Sequence, residues 1–271
     1  MSERDHIITV PLITSNKVSN GSSPLVMVTG YDYPTAQILD QAGVDIILVG
    51  DSLSNVVMGN SNTADISVKE IVHHVKAVSN ANTKALVVGG MPWLSYHLSY
   101  KNTVINASKI IKAGAKAVKL EGGKKRVDHI KAILDAEIPV MGHLGLTPQS
   151  FNVLGGFKVQ GKLEAQAEIL IQDAHALEGV GCFSIVLEAI PRSLANTVTN
   201  TLKIPTIGIG AGPDCDGQVI VFHDLLGFFN KSKAKFVRPY LDFNKLATEA
   251  VEKFIKDVKD HDYPNDSESY H

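Results

Sequence analysis

DIILVGD (45–51) decides the fold: four consecutive apolar residues, a glycine, and an acid at the end. A stretch with no alternation of apolar and polar positions suits a strand covered on both faces, as in a parallel sheet under helices. Seven further stretches read the same way: LVMVTG (25–30), KALVVGG (84–90), AVKLEGG (117–123), IPVMGHLG (138–145), CFSIVLEAI (182–190), IPTIGIGA (204–211) and QVIVFHDLLG (218–227). Helical signals lie between them. Ser67 and Glu70 have the spacing of a capping box, and Val68, Ile71, Val72, Val75 and Val78 follow the 3.6-residue period. Leu163, Ala167, Leu170, Ile171, Ala174 and Leu177 form a second stripe, and Ala247, Val251, Phe254, Ile255 and Val258 mark a last helix. Gly43 and Gly114 sit where a helix would stop.

Eight strands with interleaved helices predict an α/β protein, a (β/α)8 TIM barrel in a single domain, and 271 residues suit one barrel of roughly 250. The seventh and eighth strands are too close for a normal helix between them, and a doubly wound open sheet is the competing architecture. The expected organisation is an N-terminal segment (1–24), the barrel (25–258) and a polar, frayed C-terminal tail (259–271).

Composition narrows the partners. At 44% hydrophobic and 20% charged residues, the chain can bury a large core. A net charge of −2 without basic patches gives no reason to expect nucleic acid or an anionic membrane surface. No apolar run approaches a membrane span, and MSERDHIITV (1–10) lacks the apolar core of a signal peptide, so a cytoplasmic protein is expected. Cys182 and Cys215 have neither zinc spacing nor a disulfide framework, and both read as structural.

In barrels and open parallel sheets alike, ligands bind at the C-terminal ends of the strands. Asp51 and Ser52, Lys119 and Glu121, His143, and Glu188 fall there. Charges late in apolar strands are costly unless they meet a cation, a partner or a substrate. Lys119 and Glu121, two apart, face the same way along their strand. A structural ion pair explains Lys119 equally well, but three acidic strand ends favour a site. Two hard carboxylates suit Mg²⁺ completed by water and substrate oxygens, and a third can act as general base. The Gly-rich segment 146–161 is long enough for a lid or binding loop. IGIGAG (207–212) lacks the register of a phosphate-binding loop, and packing explains its glycines. Trp93, Tyr96 and Tyr100 could line a pocket, although packing is the simpler role. His73 and His74 do not have the i, i+4 spacing of a metal pair.

These segments resemble the ketopantoate hydroxymethyltransferase family. The resemblance is carried by TGYDYPTAQILDQAGVDIILVGDSLSNVVMG, KAGAKAVKLEGG, IPVMGHLGLTPQSFNVLGGFKVQG, and IVLEAIP followed by IPTIGIGAGPDCDGQV. It implies a barrel of the phosphoenolpyruvate/pyruvate superfamily that transfers a hydroxymethyl group from 5,10-methylenetetrahydrofolate to 3-methyl-2-oxobutanoate, giving 2-dehydropantoate for pantothenate biosynthesis. It further implies Mg²⁺ on Asp51 and Glu121, keto-acid contacts from Asp51, Ser52 and Lys119, and Glu188 as proton acceptor. His143 matches an active-site histidine, which the resemblance implies is a substrate contact. Family members are commonly homodecamers, which implies a homo-oligomer.

One position departs from the family pattern. The motif after the third strand is usually (A/G)-D-(L/M)-P, with its Asp touching metal and substrate, whereas VVGGMPW places Gly90 there. Either Mg²⁺ binds more weakly through Asp51, Glu121, substrate and an extra water, or catalysis is impaired. Two rival functions remain open at this point: a carbon–carbon lyase of the same superfamily, and a ligand-binding or assembly barrel without turnover.

Overall fold

The computed structural model describes residues 6–229 and 234–271. A strand forms at each of the eight apolar runs: β1 Leu25–Thr29, β2 Ile46–Val49, β3 Leu86–Gly90, β4 Ala117–Lys119, β5 Val140–Gly145, β6 Ser184–Glu188, β7 Thr206–Ile209 and β8 Gly217–Ile220. The eighth differs from its reading: the strand begins one residue before the run, and Phe222–Leu226 within the run is helical. Every strand lies parallel to the next, and β8 pairs back onto β1, with Met27 beside Val219. The sheet is therefore a closed barrel, which excludes the open doubly wound alternative.

The helices are α1 Val10–Thr14, α2 Tyr33–Gln41, α3 Leu53–Val56, α4 Val68–Ser79, α5 Tyr100–Lys112, α6 Val127–Asp135, α7 Phe151–Leu154, α8 Glu164–Val180, α9 Arg192–Thr201, α10 Phe222–Leu226 and α11 Phe243–Lys259. The expected capping box starts α4: the Glu70 amide donates to Ser67 Oγ (3.3 Å) and the Ser67 amide to Glu70 Oε2 (2.7 Å). Its stripe buries Ile71, Val75 and Val78. Gly114 ends the turn after α5 at φ +118°, where a Cβ would also lie 2.4 Å from the Ser79 side chain. As the short spacing requires, β7 runs into β8 without a helix.

Side chains at alternate strand positions fill the barrel. Met27, Ile46, Leu86, Ala117, Met141, Val186, Ile207 and Val219 form one apolar cluster, joined by Ile8 and Ile13 from the N-terminal segment. Ile13 on α1 is fully buried, so the segment before β1 plugs the end of the barrel at which the strands start. Beside it lies a buried ion pair, Lys17 Nζ to Asp216 Oδ2 at 2.7 Å.

The chain divides into two compact units, Met1–Val221 and Phe222–His271. The first contains the whole barrel. In the second, α11 forms where the last apolar stripe predicts a helix, but none of its residues is buried. In the exposed tail, a 3₁₀ turn over Asp266–Glu268 is held by Asn265, whose Oδ1 accepts the Ser267 amide (2.9 Å) and whose amide donates to Glu268 (3.0 Å). Local side-chain bonding supplies there the order that burial does not.

Candidate active site

Ala117, Met141 and Val186 lie in the apolar layer of the barrel. Two residues further along β4, β5 and β6, on the same face, stand Lys119, His143 and Glu188, and Glu121 follows Lys119. Register brings them side by side: Lys119 pairs with Met141, His143 with Val186, and Gly145 with Glu188. The strand order thus stacks a charged layer on an apolar one, at the end where barrel enzymes place their sites.

The predicted residues converge. Lys119 Nζ lies 3.0 Å from His143 Nδ1 and 3.7 Å from Glu121 Oε1. His143 Nδ1 is 3.3 Å from Glu121 Oε1, and its Nε2 is 3.2 Å from Glu188 Oε2. Lys119, Glu121 and His143 are buried, while Glu188 keeps part of its side chain open. Asp51 and Ser52 come from the turn after β2. Ser52 Oγ pairs with Tyr31 OH at 2.7 Å, and His74 Nδ1 holds the Tyr31 carbonyl at 2.6 Å.

Gln149, in the loop after β5, joins the two buried acids. Its Nε2 donates to Asp51 Oδ2 (2.6 Å) and to the Met91 carbonyl (3.0 Å), and its amide donates to Glu121 Oε2 (3.1 Å). Tyr96 OH donates to Gln149 Oε1 (2.6 Å) and accepts the Glu121 amide (3.2 Å). Burial and the neighbouring Glu121 carboxylate push Tyr96 well above the ordinary phenol range, keeping it a proton donor.

Electrostatics separate the acids. Burial, then the Glu121 charge, raises Asp51 to about 6. Burial also pushes Glu121 up, but the His143 contact, the Lys119 charge and the Gln149 amide outweigh it and hold Glu121 below its usual value. Burial and Lys119 depress His143, yet the flanking Glu121 and Glu188 carboxylates more than compensate, and its net direction is upward.

The site has unmet polar demand. Glu121 Oε1 and His143 Nε2 are buried without a hydrogen-bond partner, although each has a neighbour at 3.2–3.3 Å, because the angles are poor. Two buried carboxylates share one buried ammonium, and burial together with the neighbouring Glu121 charge raises Asp51. A hard cation fits this need, and oxygen donors favour Mg²⁺. Among the described residues no three His, Cys, Asp or Glu side chains form a ready-made cage. Asp51 and Glu121 are the two buried carboxylates that could hold such an ion, with water and substrate completing its shell. Gly90 lies beside them: a Cβ there would be 3.1 Å from Gly50 Cα and 3.6 Å from the Asp51 amide.

Other sequence signals resolve differently. Of the three aromatics, Tyr96 enters the site, whereas Trp93 and Tyr100 are exposed. Close packing and backbone conformation account for the glycine-rich run: a Cβ at Gly208 would meet Cys215 Sγ at 3.0 Å, one at Gly212 would meet Arg192 at 2.7 Å, and Gly210 and Gly212 have φ of +62° and +84°. Both cysteines are buried, and burial pushes the Cys182 thiol up to about 12, far from nucleophilic use. Among the described residues, no helix is long and apolar enough to cross a membrane. Reading the sequence missed Gln149 and Tyr31 and undervalued Tyr96. The Gln149 signal was its place in a long loop after a strand end.

Comparison with known proteins supplies the last step. The family model of ketopantoate hydroxymethyltransferase matches residues 8–266. The chain is 49% identical to 3-methyl-2-oxobutanoate hydroxymethyltransferase of Moorella thermoacetica, over 100% of both chains. It is 48% identical to the enzyme of that name from Clostridium beijerinckii, over 96% of this chain and 94% of that one. Among solved structures, a phosphonopyruvate hydrolase in complex with oxalate and Mg²⁺ has a TM-score of 0.60 at 13% identity, covering 96% of this chain and 93% of that one. A 2,3-dimethylmalate lyase has a TM-score of 0.60 at 15% identity, covering 95% and 90%. These two share the barrel fold. On the full-length match and near-half identity, the chain belongs to the ketopantoate hydroxymethyltransferase family.

Proposed function

We propose that the barrel transfers a hydroxymethyl group from 5,10-methylenetetrahydrofolate to 3-methyl-2-oxobutanoate, forming 2-dehydropantoate for pantothenate biosynthesis. The observation that carries this reading is the division among the acids. Asp51 and Glu121 are buried and tied together through Gln149, while Glu188 stands apart on β6 with its side chain partly open.

Asp51 and Glu121 would hold Mg²⁺, which supplies Lewis-acid charge to the carboxylate and carbonyl oxygens of a 2-oxo acid. Lys119 adds positive charge beside the same oxygens and stabilises the negative charge that develops when the C3 proton leaves. Ser52, with its hydroxyl fixed by Tyr31, and His143 position the keto acid. Glu188 takes the C3 proton. His143 Nε2 lies 3.2 Å from its carboxylate, near enough to hydrogen-bond it once the angle improves. Water breaks the one-carbon unit's two bonds to the folate nitrogens, leaving its oxygen on the carbon and its two protons on the nitrogens, the C3 carbanion forms the new bond to that carbon, and the proton held by Glu188 passes to the new hydroxyl oxygen.

Deuterium exchange at C3 of 3-methyl-2-oxobutanoate in D₂O with Mg²⁺ tests the proton-transfer half, and product formation with and without the folate donor tests the other. Exchange together with donor-dependent product is expected. Bound keto acid that exchanges neither alone nor with folate would mean a barrel without turnover, and turnover indifferent to folate would mean a lyase.

A further inference from the structure

Beside the charged layer lies a groove of about 300 Å³, between the loops that follow β4 and β5 and one face of α8. Its walls include Leu144, Leu170 and Ile169, and its polar groups include Gln160, Gln166 and Asp173. Gln166, Ile169, Leu170 and Asp173 recur at helical spacing, so they form one face of α8. Ile169 is 59% exposed on that face, an apolar side chain presented to an open groove. Asp173 lies over Gly123, where a Cβ would collide with its carboxylate, and accepts the Lys124 amide at Oδ1 (2.9 Å). Among the described residues, no hydrogen bond reaches its Oδ2.

The groove adjoins the reacting groups through the backbone. Its lining residue Gly122 follows Glu121 and donates its amide to the His143 carbonyl (3.0 Å), and its lining residue Gly145 pairs with Glu188. The Gln160 amide donates to the Ala189 carbonyl (2.9 Å), one residue beyond Glu188. Charge on the rim is positive: Lys124 and Lys125 follow the β4 loop, and Lys158 and Lys162 flank Gln160, all four exposed. The acids nearest in sequence on α8, Glu164 and Glu168, fall on the opposite side of the helix by its 100° step.

Resting on the folate-dependent reading above, we propose that this groove is the docking site of the one-carbon donor. Its chemistry matches a reduced folate in three respects. Leu144, Leu170 and Ile169 provide apolar surface for a flat bicyclic ring. The paired N–H donors of a 2-amino-4-oxopyrimidine edge fit a carboxylate as a guanidinium does, and Asp173 is the carboxylate available. The lysine rim meets the anionic glutamate tail, which is solvent-exposed and therefore the salt-sensitive part of binding.

Calorimetric titration of the full-length protein with tetrahydrofolate under anaerobic conditions tests the assignment. Asp173→Asn and Ile169→Asp should each weaken binding tenfold or more. The triglutamate form should bind more tightly than the monoglutamate form, and Lys124→Glu/Lys125→Glu should remove that preference. Ile169 is exposed, so Ile169→Asp keeps the test valid should Asp173→Asn fail to fold. Wild-type affinity in both folded variants would overturn the groove assignment while leaving the folate-dependent reaction intact. A protein that binds no tetrahydrofolate and turns over without it would overturn the reaction and the groove together.

Discussion

Two clusters of buried charge sit at opposite ends of one barrel, and they are built differently. At the end where the strands start, Lys17 Nζ donates to Asp216 Oδ2 (2.7 Å) and to the Thr199 carbonyl (2.8 Å). Asp216 also accepts the Val18 amide at Oδ1 (3.0 Å) and the Thr206 amide at Oδ2 (2.9 Å). The other end holds Lys119, Glu121 and His143 at separations of 3.0–3.7 Å, with two buried polar atoms unpartnered. A satisfied buried pair ties the N-terminal plug to the strands. An unsatisfied cluster stores interactions for something that arrives later, since unpaired buried polar groups cost stability.

Removing Glu188 should have the largest consequence. Glu188→Gln keeps the side chain's shape and loses the base, so turnover and C3 exchange should fall by about 10²–10⁴-fold. Keto-acid binding, read by calorimetry with Mg²⁺, should persist. Exchange at the wild-type rate would move the base elsewhere in the site.

The stability contrast comes next. Lys17→Met strands the Asp216 charge in a dry environment and should cost about 3–5 kcal/mol in denaturant unfolding. Lys119→Met removes a cation whose contacts are longer and whose acids can take up protons, so it should cost less stability and far more activity. Equal losses from the two substitutions would erase the distinction between the ends of the barrel.

How much of this was legible follows from the range of each interaction. The strands were visible because their apolar runs are nearly continuous, and the start of α4 because Ser67 and Glu70 signal it three residues apart. Lys119 and Glu121 were readable as partners because strand parity sets their direction. The Lys17–Asp216 pair joins residues 199 positions apart, and Gln149 reaches Asp51 across 98. No local pattern marks either contact, because the closure of the barrel creates both. The packing role of Gly212 was legible only as a general preference, since Arg192 is contributed by the first turn of α9.

The raised Asp51 adds a pH dependence. Its carboxyl holds a proton up to about 6 in the folded protein, against 3.8 for an ordinary aspartate. Without metal, the folded state therefore binds more protons than the unfolded chain between those values, and this group's contribution to stability is lost as pH rises through them. Mg²⁺ requires the ionised form, so the sign reverses with metal. Below pH 6 each pH unit should weaken binding by up to about tenfold through this one proton. Thermal shifts at fixed, subsaturating Mg²⁺ should be larger at pH 7.5 than at pH 5. A pH-independent shift would take Asp51 out of the ligand set.

The smallest effect expected is the most direct probe of the unsatisfied end. Gly90 shares the inward face of β3 with Val88, and its Cβ position stands 3.1 Å from Gly50 Cα and 3.6 Å from the Asp51 amide. Gly90→Asp would place a third carboxylate against Asp51, competing with it for the Gln149 Nε2 donor. Backbone must yield by a few tenths of an ångström to admit it. Without metal, the added like charge should lower stability and raise Asp51 further. With keto acid present, the extra oxygen ligand should tighten Mg²⁺ binding by on the order of tenfold, because affinity follows ligand charge and number. Loss of stability without metal and gain of affinity with it are opposite signs from one substitution, a pattern that simple strain at Gly90 does not produce. Equal Mg²⁺ affinities for the two proteins would show that Asp51, Glu121 and the substrate already satisfy the ion, and that Gly90 leaves no deficit to repair.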